Sequence, residues 1–524
     1  MLISEDSSFA PLKQKLFLVL WVATVVGNIG SFIRDVASSW LITDLSASPA
    51  AVSLIQAATT LPVFLLAIPA GVMSDILDRR KFLIAIQLLL ASSSISLMFL
   101  SMTGLQSVAT LVLFTFVGGI GAALMGPTWQ TIVPELVQRK ELKNAVALNS
   151  LGINIARAVG PAVGGVVLAQ FGAYFAYGMD VISYVFVISA LLWWKPQVKV
   201  KDELFENFGG AFRAGLRYAK SSKPLHAVLF RTIIYFIFVS AMWALLPLVA
   251  RKLLSGTAGF YGILLASIGL GAIIGAIVLP RLRKRLDSDK LIVLSAILSG
   301  IVMIVLSFAP PKFIAVISVF FLGSAWIIAL TTLNSVTQTI LPNWVRGRSL
   351  AIYITTFNGA MTAGSLIWGV VAQYIGISLT LVGAAILLVV ANILASRKKL
   401  PLGEDDLSPA QHWEDPYTHS KIDLHRSPVL VQVEYLVKKS DQEEFLHKIK
   451  KLAEHRKKDG AYAWGIVQST HDEEVLLEWF FIENWAEHLR QHNRVSKVDA
   501  MLQAEVNAYH QGEKPNIKHF VGMS

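Results

Sequence analysis

Four ionisable residues lie inside long apolar stretches of this sequence: Arg34 and Asp35 in the first stretch, Arg157 in the fifth and Asp180 in the sixth. Charges in an apolar interior are costly unless they are paired, and two acids balance two bases. The pattern predicts one network of these four residues. In it one acid carries a proton, while Arg157 binds an anionic group or neutralises Asp35. The alternative is a static ion-pair network that only sets helix packing.

Amide and indole side chains in the same stretches are candidates for contacting a ligand. Amides can hydrogen-bond a polar molecule and tryptophan rings can stack on an aromatic one. Hydrogen bonds between helices and packing are the ordinary roles of both side-chain types. The candidate cavity residues are Asn28, Asn154, Trp243, Trp326, Asn334 and Asn358.

The elements that must position these residues are membrane helices. Of the 524 residues, 54% are hydrophobic and 15% are charged, which excludes a single soluble globule. Cysteine is absent, so disulfides and thiolate sites are excluded as well. Apolar stretches of about 20 residues predict twelve spans. They are 16–42, 50–73, 83–103, 107–127, 146–168, 173–194, 228–250, 258–280, 290–308, 312–334, 349–371 and 376–396.

Charge distribution predicts orientation and domain limits. Lys and Arg concentrate in loops after even-numbered spans, whereas the opposite side carries Arg251, Lys252 and Lys312. Both termini are therefore expected in the cytoplasm. From Glu404 onward the chain has 15 Lys and Arg against 21 Asp and Glu. The net charge of +11 thus reflects topology, and no nucleic-acid partner is expected.

These limits predict six domains or segments. A basic amphipathic middle loop is expected along the inner leaflet of the lipid bilayer, and a linker precedes the tail. The boundaries are a cytoplasmic segment 1–15, six-helix bundles 16–194 and 228–399, the middle loop 195–227, the linker 400–427 and a cytoplasmic domain 428–524.

The two bundles contain an internal repeat. Gly71 and Arg79 recur 204 residues later as Gly275 and Arg283, each arginine followed by two more basic residues. Parallel halves of this kind place a substrate site near the bilayer midplane, between the halves. Rocking of the halves then exposes that site to either side of the membrane.

The first copy of the repeat resembles the loop 2–3 signature of the major facilitator superfamily. It reads Gly71-x-x-x-Asp75-x-x-x-Arg79-Arg80, with Asp78 where a glycine is usual. The resemblance implies that Gly71 allows close helix approach. It also implies that Asp75, Arg79 and Arg80 form a charge lock that holds the halves in one state.

The fifth span resembles the antiporter signature of the same superfamily. The sequence Gly160-Pro161-Ala-Val-Gly164 implies close packing by the glycines and a bend at the proline. In the fourth span Thr115 stands where the superfamily has a signature arginine, which weakens a proton relay there.

Further stretches resemble the enterobactin-exporter-like branch, the transmembrane secretion effector family. They include Pro342-Asn-Trp344-Val-Arg346 and Trp485-Ala-Glu-His488. The resemblance implies an all-α polytopic membrane protein of the bacterial inner membrane, with no cofactor. Its implied function is export of a small amphipathic molecule, such as a siderophore or drug, in exchange for protons. Import, or lipid or metabolite transport on the same fold, remains open.

The tail resembles the small dimeric barrel of antibiotic-biosynthesis monooxygenases. Its pattern predicts a β-α-β-β-α-β, ferredoxin-like domain whose last helix runs from Asn484 to about Tyr509. Trp464, Glu478 and His488 are candidates to line a small cleft. Dimerisation or regulation is the expected role, and catalysis on an exported compound is the alternative.

Two tail histidines have a spacing that suits a metal. His488 and His492 are four residues apart and so share one helix face. The local sequence implies no third ligand. We therefore expect a solvated or dimer-facing pair and no metal.

Overall fold

The computed structural model describes residues 9–138, 141–195, 208–342, 344–401, 410 and 422–523. Parts of the predicted N-terminal segment, middle loop and linker lie outside these residues, as does the side chain of Asp75. The chain forms two compact units. The membrane unit comprises Met1–Lys201, Val228–Ser335 and Ala351–Leu400. The tail unit comprises Asp202–Ala227, Val336–Leu350 and Pro401–Ser524.

Among the described residues, twelve helices are long and apolar enough to cross a bilayer, which confirms the predicted number. The first six are α1 (Lys15–Leu45), α2 (Pro49–Ile76), α3 (Arg79–Thr103), α4 (Val108–Leu136), α5 (Leu142–Phe171) and α6 (Ala173–Trp193). The short helix α7 (Phe208–Ser221) follows. The second six are α8 (Lys223–Leu248), α9 (Ala258–Arg283), α10 (Ser288–Ser307), α11 (Lys312–Thr339), α12 (Arg346–Ile375) and α13 (Ile377–Ala395).

Local sequence explains where several of these helices begin. Ser48 and Ser107 accept backbone N–H bonds at the starts of α2 and α4. Asp78 accepts the N–H of Lys81 at 2.9 Å and caps α3, so the residue that replaces the usual glycine begins a helix. Large apolar side chains such as Phe99 and Phe186 stay exposed on the outer helix faces, as a lipid-facing surface requires.

The tail domain is ferredoxin-like, as predicted. Its elements are β1 (Val429–Leu436), α14 (Gln442–Lys458), β2 (Ala463–Gln468), β3 (Val475–Ile482), α15 (Trp485–Arg494), α16 (Lys497–Asn507) and β4 (Asn516–Val521). The strands form one antiparallel sheet in the order β2-β3-β1-β4. Alternate residues of β1, from Val429 to Tyr435, are buried in the domain core.

The prediction of a single last helix is wrong. Asn484 caps α15 by accepting the N–H of Glu487 at 2.9 Å, as expected, but α15 ends at Arg494. Ser496 and Asp499 then form a capping box that begins α16. The chain therefore breaks at a local start signal inside an otherwise helical pattern.

Candidate functional site

A cavity of about 290 Å³ lies between the two halves of the membrane unit. The first half supplies its polar groups, from α1, α2 and α5: Asp35, Ser39, Gln56, Thr59, Thr60 and Arg157. The second half supplies mainly aromatic and apolar groups, among them Trp243, Tyr261, Trp326, Phe357 and Met361. The cavity therefore has one polar wall and one aromatic wall.

Trp326 of α11 is the centre of the aromatic wall. Its ring centroid lies 4.9 Å from that of Trp243, 5.2 Å from that of Phe236 and 6.1 Å from that of Phe357. These tilted, edge-on contacts hold the rings in fixed positions. The predicted cavity residues Trp243 and Trp326 both line the cavity.

Arg34 lies between two carboxylates. It donates to Asp35 at 2.9 Å and pairs with Asp180 of α6 at 3.5 Å. Its guanidinium also donates to the hydroxyl of Tyr184 at 2.7 Å, and Ser94 of α3 donates to Asp180 at 2.6 Å. Three helices are thus joined through one arginine and its two acids.

The two acids have different surroundings. The side chain of Asp35 is 46% exposed and lines the cavity, whereas the side chain of Asp180 is fully buried behind α1. With both acids ionised, this cluster carries one negative charge more than Arg34 compensates. One proton would balance it, and Asp35 is the acid that the cavity reaches.

Arg157 does not join the predicted network of four. It lines the cavity from α5, and among the described residues no side chain lies within hydrogen-bond or ion-pair distance of it. The four charges therefore separate into a cluster around Arg34 and an unpaired cation on the cavity wall.

The predicted asparagines are not among the cavity-lining residues. Asn154 and Asn358 instead donate to the carbonyls of Ser150 and Ile354, one turn earlier in their own helices. Asn28 and Asn334 also lie outside the lining. The residues that replace them, Gln56, Thr59 and Thr60, follow the i, i+3, i+4 spacing of one helix face, a signal that was present in span 2.

Residues of the loop 2–3 signature contact other helices of the first half of the membrane unit. Arg79 forms an ion pair with Glu135 of α4, and Arg80 donates to the carbonyls of Leu191 and Leu192 at the end of α6. The predicted close approach at Gly71 is wrong for this conformation, because a Cβ built there meets no described atom within 4 Å.

The glycines of α5 do make close contacts. A Cβ on Gly160 would lie 2.6 Å from Cβ of Phe32, and one on Gly164 would lie 3.0 Å from Cα of Ile33, both in α1. The next residue, Gly165, would place a Cβ 2.7 Å from Cα of Gly262 in α9. The antiporter-like segment therefore packs against both α1 and the opposite half.

Polar contacts join the two halves at one end of the bundle. Arg251 forms an ion pair with Asp44, and Lys252 donates to the carbonyl of Ala47 at 2.7 Å. At the same end, Ser48 at the start of α2 donates to Gln373 of α12 at 2.7 Å. These contacts link residues that leave α1 and begin α2 to the second half.

Glu478 of the tail is part of a buried hydrogen-bond network. It is fully buried and accepts hydrogen bonds from Trp464 at 2.9 Å, Tyr435 at 3.1 Å and Arg456 at 3.3 Å. Burial, together with the charge of Glu478, raises the pKa of Tyr435, so that its hydroxyl stays protonated as a donor. Glu478 and Trp464 meet as predicted, but His488 belongs to a different cluster.

That cluster consists of His488, His492 and His519. Ring nitrogens of all three lie within 4.8 Å of one another. His488 is 1% exposed, so the expectation of a solvated pair is wrong for it. Burial and then the neighbouring His519 and His492 lower the pKa of His488 to about 3.

Within the tail unit, the acidic domain contacts the basic helix α7. Glu483 pairs with Arg213 at 2.5 Å and with Arg217 at 3.7 Å, and Glu454 pairs with Lys223 at 2.7 Å. These basic side chains of the middle loop therefore meet tail carboxylates, whereas the sequence predicted that they lie on the bilayer surface.

Several bacterial transport proteins are similar to this chain. It is 24% identical over 353 residues to the staphyloferrin A transporter of Staphylococcus aureus, which covers 67% of this chain and 87% of that protein. It is 24% identical over 345 residues to the enterobactin exporter of Salmonella typhimurium, covering 64% and 82%. It is 22% identical over 366 residues to macrolide efflux protein A of Streptococcus pyogenes, covering 69% and 90%.

Solved structures show the same fold. A bacterial homologue of the human lysosomal transporter Spinster, in an inward-facing and unoccupied conformation, has a TM-score of 0.56 at 17% identity and covers 74% of this chain and 97% of its own. The nucleoside transporter NupG has a TM-score of 0.60 at 12% identity, covering 73% and 100%. Both support a transporter fold for the membrane unit.

The family model described as transmembrane secretion effector matches residues 6–524. This match includes both helix bundles and the ferredoxin-like tail. The chain is thus a multi-pass membrane protein of the major facilitator superfamily, and it belongs to the transmembrane secretion effector family.

Proposed function

We propose that this protein is a proton-coupled exporter that moves a small amphipathic molecule, such as a siderophore or drug, out of a bacterial cell by alternating access. The observation that carries the proposal is the cavity with Asp35 and Arg157 on one wall and Trp243 and Trp326 on the other. The names of the related staphyloferrin A, enterobactin and macrolide transporters support export of such compounds.

Asp35 is the proposed proton carrier. It is half-exposed to the cavity, and it shares Arg34 with the buried Asp180. When Asp35 is protonated, Asp180 and Tyr184 still hold the guanidinium, so Arg34 is never left without a partner. Loss of the proton restores the Arg34–Asp35 pair within α1 and weakens the hold of Arg34 on Asp180, which would shift the contact between α1 and α6.

Arg157 is the proposed contact for an anionic or polar part of the substrate. Its charge faces the cavity, and the aromatic wall lies across from it. A molecule with an aromatic ring and a negative or polar group would match both walls. A substrate group that donates a hydrogen bond to ionised Asp35 would compete with the proton for that carboxylate, so that proton binding would favour substrate release.

The inner membrane is the proposed location, with both termini in the cytoplasm. The concentration of Lys and Arg in the loops after even-numbered spans supports this orientation. The tail domain contacts α7 within one compact unit, so these two parts lie on one side of the bilayer. Under this orientation the contacts of Arg251 and Lys252 close the outer end of the bundle.

Dimerisation through the tail is a further part of the proposal. Leu430, Phe481 and Phe520 are aligned across three strands on the sheet face opposite the core, and Tyr462 stacks on Phe481. Phe520 is 49% exposed and Tyr462 is 53% exposed. An apolar sheet face of this kind supports association with a second copy, and light scattering of the purified chain tests it.

The deciding experiment is efflux from cells that express wild type, Asp35→Asn or Asp180→Asn, with and without a protonophore, across a panel of siderophores and dyes. We expect wild-type efflux to collapse with the protonophore, and Asp35→Asn to lose at least about tenfold in rate, because it removes the accessible proton site. Asp180→Asn should mainly reduce the amount of folded protein, since it leaves polar groups of a buried cluster unsatisfied.

Asp287→Asn is the matched control, because Asp287 caps α10 outside the cavity and asparagine caps equally well. Its efflux should equal that of wild type at equal expression. Protonophore-sensitive efflux that persists in Asp35→Asn would reject Asp35 as the proton carrier. Wild-type efflux that ignores the protonophore would reject proton coupling itself.

A further inference from the structure

Two histidines of the tail domain share one face of α15. The helix begins at the Asn484 cap, and His488 and His492 follow at i and i+4. Their Nε2 atoms are 3.3 Å apart. Two imidazoles at this distance either share a hydrogen bond or bind one ion together.

A third histidine reaches the pair from the sheet. His519 of β4 lies opposite Val431 of β1, which is buried in the domain core, so the two side chains share the helix-covered face. The ring centroids of His519 and His488 are 4.8 Å apart. Sheet register therefore brings β4 to the ligand face of α15.

The geometry fits a transition-metal ion. In a tetrahedral zinc site with Zn–N bonds of about 2.0–2.1 Å, two ligand nitrogens lie about 3.3–3.4 Å apart. The His488–His492 separation of 3.3 Å already has this value. The ligand nitrogens of the three rings all lie within 4.8 Å of one another, and a small rotation of the half-buried His519 ring can shorten its separations from the other two.

The surroundings are compatible with a bound ion. His488 is 1% exposed, and the Trp485 ring, 5.2 Å away, covers one side of it. An apolar cover of this kind limits the access of water to a bound ion.

We propose that His488, His492 and His519 bind a zinc ion, with a fourth position open to water or an anion. Three imidazoles and an open position are typical of zinc. The neighbouring Glu487 pairs with Arg490 at 3.2 Å and with Arg217 of α7 at 3.9 Å, so α15 holds both the ion and the middle loop. The inference does not depend on the proposed transport activity.

Zinc titration of the purified full-length protein, carrying a tag without histidine, tests the site. We expect wild type to bind one equivalent of Zn²⁺ and to gain thermal stability on binding. His519→Gln and His492→Gln should each lose at least about 100-fold in affinity, since even supporting residues of metal sites contribute 10–100-fold. Cobalt(II) in the same site should give the absorption bands of a tetrahedral ion.

His471→Gln is the matched control, because His471 is an exposed tail histidine outside the cluster. It should bind zinc as wild type does. Both test variants change partly exposed rings, and their unfolding temperatures without metal should stay near that of wild type. The proposal is wrong if wild type binds no stoichiometric zinc, or if both variants bind it as tightly as wild type.

Discussion

Arg34 and Arg456 are both buried arginines beside a carboxylate and a tyrosine, yet their surroundings differ. Arg34 forms ion pairs with two acids, one of which, Asp35, lines the cavity. Arg456 forms an ion pair with Glu478, which is fully buried and accepts two further hydrogen bonds. In the proposed mechanism, Asp35 of the first arrangement exchanges a proton with the cavity. The second is saturated and supports the tail fold.

At this scale we expect Glu478→Gln to destabilise the tail by about 3 kcal/mol or more, because it removes the fully buried carboxylate that pairs with Arg456. Limited proteolysis and thermal unfolding of the full-length chain would measure the loss. Glu473→Gln is the control, since its pair with Lys439 is exposed and should contribute little to stability. Equal stability of the two variants would show that the network is not structural.

Among the helices, α5 connects the charged site to the opposite half. Gly160 and Gly164 pack against α1, which carries Arg34 and Asp35, while Gly165 packs against Gly262 of α9. Backbones approach this closely only where side chains are missing. A displacement of α1 that follows protonation would therefore be transmitted through α5 to the second half.

Cross-linking at the Ser48–Gln373 contact can test whether the Gly165–Gly262 contact controls closure of this end. The natural chain has no cysteine, so Ser48→Cys with Gln373→Cys introduces a single pair at side chains that are 2.7 Å apart. We expect rapid cross-linking in this conformation. Adding Gly165→Val should slow it severalfold, since the new side chain would overlap the backbone of α9 and disfavour the closed end.

Gly383→Val is the matched control for this series, because a Cβ at Gly383 meets no described atom within 4 Å. It should leave the cross-linking rate unchanged. If Gly165→Val also left the rate unchanged, the α5–α9 contact would not determine closure of this end.

Over the whole molecule, the tail is connected to transport through the middle loop. The loop joins the two halves. Within the tail unit its helix α7 contacts Glu483, and Lys223, which follows α7, contacts Glu454. Tyr218 of α7 also packs edge-on against Trp344 in the connection between α11 and α12, with centroids 5.9 Å apart. Because the tail domain contacts α7, and α7 packs against the second connection, the domain is placed to restrain the relative motion of the two connections.

We expect the double variant Glu454→Gln/Glu483→Gln to loosen α7. Arg213 and Lys223 are largely exposed, so each pair should contribute about 0.2–1 kcal/mol. Hydrogen exchange of α7 amides in the full chain should therefore accelerate by a few fold, and added salt should reduce the difference. Glu505→Gln, which breaks a pair inside the tail, should leave α7 unchanged. Unchanged hydrogen exchange in the double variant would show that these ion pairs do not hold α7 in place.

The sequence by itself determined the number of membrane spans, the succession of strands along the tail and the Asn484 cap. These follow from apolar length, alternation and capping, which are properties of neighbouring residues. The sequence also indicated Asp35, Arg157, Trp243 and Trp326 as candidate site residues, and all four line the cavity. A charge or an indole inside an apolar span can be recognised without knowledge of the packing.

Only the tertiary structure decided which of these residues meet. Asp180 and Arg157 are equally plausible partners for α1 in the sequence, and helix rotation and packing place Asp180 beside Arg34 and Arg157 on the cavity wall. Likewise, the register of β4 brings His519 to a pair that lies 27 residues earlier in the chain. Contacts between distant segments depend on how whole elements pack, and that information is not contained in local spacing.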